Sequence, residues 1–179
     1  KDVAVSVGIQ KSLVDSVKLV DREGCDRALA LPETPLTDWL ILRPPAGKSG
    51  DPALWLILPG AEIDKSSYSR LAMAVQKEFS MPLWVCILGS FLTPTPIPPE
   101  LGPRIDAALR EMSGLGLDLQ RLKLFYGGHS LGSVFIQDHL AQSNGSQGPM
   151  GGSIRVLGQV LMGGFIQRKY THPTWSYPV

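Results

Sequence analysis

Short apolar runs, each cut off by glycine or proline, dominate the middle of this 179-residue chain. Trp39-Leu40-Ile41-Leu42 stops at Arg43-Pro44-Pro45, and Leu54-Trp55-Leu56-Ile57-Leu58 stops at Pro59-Gly60. Leu83-Trp84-Val85-Cys86-Ile87-Leu88 stops at Gly89. Leu122-Lys123-Leu124-Phe125-Tyr126 runs into Gly127-Gly128, and residues 155–162 run into Gly163-Gly164. Continuous apolar runs of this length are too short for typical helices. Between breakers they read as strands buried on both faces.

Helical periodicity fills the gaps between them. Tyr68, Leu71, Ala72, Val75 and Phe79 fall on one helical face, with Asp64, Ser66 or Ser67 as its cap. Leu101, Ile105, Ala108, Leu109 and Met112 form a second such face, closed by Gly114 and Gly116. A third helix is expected from about Leu131 to Ala141, followed by a Gly/Ser-rich connector over 143–153. Strands alternating with helices imply an α/β fold with a mostly parallel sheet and helices on both faces. Two short strands at 3–9 and 16–20 are expected ahead of it. The domain reading is therefore an N-terminal extension over 1–37 and an α/β core over 38–179.

Composition removes several function classes. Seventeen Lys plus Arg against sixteen Asp plus Glu give a net charge of +1. That balance argues against nucleic acid or a polybasic membrane contact as the main partner. No apolar run approaches the roughly 18 residues of a membrane-spanning helix. No signal peptide is visible in residues 1–37. The localisation expectation is a soluble protein, with an intracellular setting favoured and the compartment otherwise unread. Cys25 and Cys86 are too few for a disulfide framework, and no spacing forms a zinc site. Cys86 reads as a small buried hydrophobe. Gly47-Lys48-Ser49 lacks the first glycine of a phosphate-binding loop, and no dinucleotide fingerprint opens a helix. Neither a metal nor an organic cofactor is implied.

One motif carries chemistry: Gly128-His129-Ser130-Leu131-Gly132, a Gly-x-Ser-x-Gly sequence. About 0.2 such matches arise by chance in a chain of this composition, so context decides. A nucleophilic serine of this type needs a sharp strand-to-helix turn, with small residues two before and two after it. Here a buried-type strand precedes Ser130, and an amphipathic segment with Val134, Phe135 and Leu140 follows it. The chemistry also needs two backbone donors for an oxyanion. One is the N–H of Leu131, the residue after the serine. The other belongs to the turn Pro59-Gly60-Ala61-Glu62, with Ala61 the first choice and Gly60 the second.

With these pieces in place, the stretch from about Asp38 to Tyr170 resembles the α/β-hydrolase family. The Gly-His-Ser-Leu-Gly form is most similar to the lipase and carboxylesterase or dienelactone-hydrolase and chlorophyllase-like branches. The resemblance implies Ser130 as nucleophile within an elbow of Gly128, His129 and Gly132, and an oxyanion hole of Leu131 with Ala61 or Gly60. It implies a small-molecule or lipid-like ester as substrate, cleaved through an acyl-enzyme. The family order is serine, acid, histidine. Only Asp138 among carboxylates, and only His139 and His172 among histidines, follow Ser130. Asp138 and His139 sit together on the helix after the serine, and His172 follows the fifth strand, where the family places a lid. The expectation is a partial chain, whose C-terminal strands, acid and base lie beyond Val179, and which alone shows little or no esterase activity. Phe91, Leu92 and Ile97, in the Pro-rich loop 91–99, are candidates for an apolar wall. The competing readings are an acyltransferase using the same serine, or a non-catalytic binding module on the same fold.

Overall fold

The computed structural model describes residues 38–89, 95–142, 149–151 and 154–170. All lie within the compact unit Pro35–Val179. The strands expected at 3–9 and 16–20, together with Cys25, Phe91, Leu92 and His172, fall outside the described residues.

Five strands form one sheet: β1 (Trp39–Leu42), β2 (Ala53–Leu58), β3 (Leu83–Leu88), β4 (Lys123–His129) and β5 (Arg155–Met162). Their order is β1-β3-β2-β4-β5. Only β1 runs antiparallel, against β3; the other three pairings are parallel. Three helices connect them: α1 (Ser69–Glu78), α2 (Pro98–Gly114) and α3 (Leu131–Gln142).

Every residue of β2 and β3 is buried, as continuous apolar runs demand. Leu54, Leu56 and Leu58 face one way and pack with α2 and α3 through Ile105, Leu109, Met112 and Ile136. Ala53, Trp55 and Ile57 face the other way and pack with α1 through Tyr68 and Ala72. Helices therefore cover both faces.

α2 ends in a Schellman turn. Gly116, at φ +103°, donates to Ser113 O, and Leu117 N–H donates to Met112 O at 2.9 Å. Leu117 then drops into the same core cluster as Met112. Gly114 is the last helical residue rather than part of the stop.

Three expectations need correction. Leu71 does not face the core: it is 45% exposed, and Gln76 is buried in its place. The Gln76 amide reaches the carbonyls of Leu42, Arg43 and Leu83, at 3.1, 3.1 and 2.8 Å. Those hydrogen bonds compensate the burial that apolar periodicity reserves for leucine. α2 begins at Pro98, inside the segment read as a Pro-rich loop, because proline fits the first turn, where its missing N–H is an orphan anyway. β4 continues three residues past Tyr126 to His129, since Gly127 and Gly128 are paired on both sides, to Ile57 and Leu58 and to Val160 and Leu161.

The chain leaves β2 toward β3 on one side, then crosses back to place β4 on the other. α1 and α3 follow the carboxyl ends of β2 and β4 onto opposite faces. The sheet thus has a topological switch point between β2 and β4, where open α/β sheets bind ligands. The architecture is an α/β fold, with a mostly parallel sheet and helices on both faces.

Candidate active site

Leu58 and Gly128 are register partners at the ends of β2 and β4, so the segments that follow them meet at the switch point. After β4 the chain makes one abrupt step. Ser130 adopts φ +49°, and α3 begins at the next residue. A serine in this left-handed region costs about 1–2 kcal/mol, so neighbouring contacts must hold it. Ser130 N–H donates to Met162 O at the end of β5, and Ser133 N–H donates to Ser130 O, both at 3.0 Å. The buried Ser133 hydroxyl donates to Gly128 O at 2.5 Å.

The two glycines of the motif are required by contact. A Cβ on Gly128 would lie 2.5 Å from Ser133 Cα, and one on Gly132 would lie 2.5 Å from Pro59 O and closer still to Leu58 O. These are backbone atoms of packed elements and cannot turn aside. α3 therefore starts directly against the end of β2. Gly128, Gly132 and Ser133 are buried, while Ser130 between them is exposed. Among the described residues no side chain hydrogen-bonds its Oγ.

Two backbone N–H groups beside this turn have no acceptor among the described residues. Leu131 N–H is an orphan of the α3 N-terminus. Ala61 N–H belongs to the turn after β2, in which Ile63 N–H donates to Gly60 O at 3.2 Å and Glu62 takes φ +60°. Gly60, the second choice as a donor, is committed elsewhere. Its N–H donates to Tyr68 Oη at 2.8 Å in a buried contact, which leaves Ala61.

His129 turns away from the serine, as expected for the alternate side of a strand. Its Nδ1 lies 2.9 Å from Tyr68 Oη, with the two rings edge to face. Burial raises the Tyr68 phenol above its ordinary value, and the Gly60 N–H only partly offsets that. The phenol thus keeps its proton at neutral pH. Oη therefore accepts from Gly60 N–H while sharing a second hydrogen bond with His129 Nδ1.

The titratable groups expected on α3 are engaged away from Ser130. His139 packs edge-on to Tyr126, and burial holds its imidazole below the ordinary value against a weaker opposing pull from Asp106. Burial pushes the Asp138 carboxyl up. Hydrogen bonds from Lys169, Tyr170 and Gln167 outweigh it and leave the group below its usual range. Cys86 is fully buried, and that burial drives its thiol far up, so it is a core hydrophobe rather than a nucleophile. Among the described residues no group of three or more His, Cys, Asp or Glu is gathered to hold a metal. No helix of those residues is long and apolar enough to cross a membrane.

Sequence reasoning missed Tyr68, Thr95 and Ser133 as parts of this site. Tyr68 was read only as a core position of a helix, and Thr95 only as loop. Ser133 carries a local signal: a hydroxyl in the first turn of a helix, five residues after a carbonyl that needs a partner.

No family model matches the chain, and no curated protein matches it. Among solved structures it is similar to a bacterial heroin esterase, with a TM-score of 0.45 and 15% sequence identity. The similarity covers 86% of this chain and 49% of that one, so the chain spans about half the length of that neighbour.

Proposed function

We propose that Ser130 is the nucleophile of a serine hydrolase acting on carboxylic esters. The observation that carries this reading is the backbone of Ser130 itself. A non-glycine residue at φ +49°, exposed at the apex of a strand-to-helix turn and held by two backbone hydrogen bonds of its own, with a third from Ser133 to Gly128 bracing the turn, is strain kept at one point. In this reading Ser130 Oγ attacks the ester carbonyl carbon and releases its proton to a general base. The carbonyl oxygen becomes an oxyanion between the N–H groups of Leu131 and Ala61. Collapse expels the alcohol and leaves an acyl group on Oγ, which water then removes. The base and the acid that orients it come from outside the described residues, since His129 and His139 face other partners.

Hydrolysis of short p-nitrophenyl esters by the intact protein tests this. Ser130→Ala is expected to lower kcat by a factor on the order of 10⁴ or more, with the fold retained. Undiminished turnover by Ser130→Ala would sink the assignment.

A further inference from the structure

Resting on the reading of Ser130 above, we propose that Tyr68 and Thr95 are positioning residues that aim the Ala61 N–H into the oxyanion site. The argument concerns one peptide plane, the unit joining Gly60 to Ala61. The described chain holds no cis peptide bond, so the Gly60 carbonyl and the Ala61 N–H point in opposite directions. Whatever fixes the carbonyl also fixes the donor.

The carbonyl is fixed from two sides. Thr95 Oγ1, on a residue only 2% exposed, lies 2.6 Å from Gly60 O and 3.1 Å from Pro59 O, and its single proton serves the nearer. Ile63 N–H closes the turn onto the same oxygen at 3.2 Å. The preceding peptide is fixed through Gly60 N–H, which Tyr68 Oη accepts at 2.8 Å. Tyr68 is held in turn by His129, the residue before the serine. A continuous set of hydrogen bonds thus runs from the elbow through Tyr68 to Gly60 and on to Thr95. It ties the position of the nucleophile to the direction of the second donor. Oxyanion donors act only when aimed where charge develops.

The turn geometry supplies a clean probe. Gly60 to Ile63 is closed by an i to i+3 hydrogen bond, with positive φ only at its third residue, Glu62. That is the pattern of a type II turn, whose second position favours proline. Ala61→Pro therefore deletes the N–H while suiting the backbone.

The experiment measures the second-order rate at which a fluorophosphonate labels Ser130 in the intact protein, alongside the thermal midpoint. Ala61→Pro should label about 100-fold more slowly with an unchanged or higher midpoint. Thr95→Val and Tyr68→Phe should each slow labelling by about 10-fold or more, and Thr95→Ser should restore it to within about threefold. Rates at wild-type level in folded Ala61→Pro, or in both Thr95→Val and Tyr68→Phe, would overturn the inference while leaving Ser130 as nucleophile. Absence of labelling in the wild type would instead remove the reading on which it rests.

Discussion

Gly132 is a position where two well-known effects oppose each other. It is the second residue of α3, and glycine in a helix is up to about 1 kcal/mol less favourable than alanine. Propensity alone therefore expects Gly132→Ala to stabilise the protein. Packing expects the opposite. The new methyl would sit 2.5 Å from Pro59 O and 2.9 Å from Leu58 C, both backbone atoms at the end of a fully buried strand. An ordinary carbon–oxygen contact is nearly an ångström longer, so α3 must move off the sheet. Forcing a methyl into a filled site costs about 1–3 kcal/mol, and backbone on both sides puts this case at the upper end. The net expectation is a loss of roughly 1–2 kcal/mol. The control is Gly114→Ala, at the exposed end of α2, where a Cβ meets nothing within 4 Å. It should gain up to about 1 kcal/mol. Urea unfolding followed by circular dichroism separates the two. With a slope of about 2 kcal/mol per molar urea, Gly132→Ala moves the midpoint down by roughly 0.5–1 M and Gly114→Ala moves it up. If both variants rise together, the close approach of α3 to β2 is not what holds the turn.

Two further outcomes follow from the same contacts. Ser133→Ala removes the buried hydroxyl on Gly128 O, and should cost about 1–2 kcal/mol in a urea melt while slowing phosphonate labelling of Ser130. His139 has its folded-state pKa depressed below 6.5, so the unfolded chain takes up a proton first as pH falls. Its contribution is complete above 6.5 and is lost as pH drops through 6.5 toward the folded value. His139→Leu should therefore flatten the fall in stability as pH drops below 6.5, and an unchanged slope would count against burial as the cause.

What was legible in the sequence follows the range of the forces involved. β2 and β3 announce themselves because both faces are buried, so every residue is apolar. The elbow is legible because its demands are local: a strand, a tight turn and two glycines within five residues. Gln76 was not, because its burial depends on carbonyls contributed by β1 and β3. Tyr68 and Thr95 were not, because their partners lie 61 and 35 residues away. Nothing in a tyrosine on a helical face, or a threonine between prolines, specifies such a contact until the sheet brings β2 and β4 together.

The most direct test of the central claim is chemical. The intact protein is treated with a fluorophosphonate, digested with trypsin and sequenced by fragmentation. The peptide 124–155 holds Ser130 together with Ser133, Ser143, Ser146 and Ser153, so the site must be read from the fragment ions. A single adduct on Ser130, lost in Ser130→Ala and in unfolded protein, is the expected result. A well-folded protein that takes no adduct, or takes it on another serine, would contradict the assignment of Ser130 as a nucleophile.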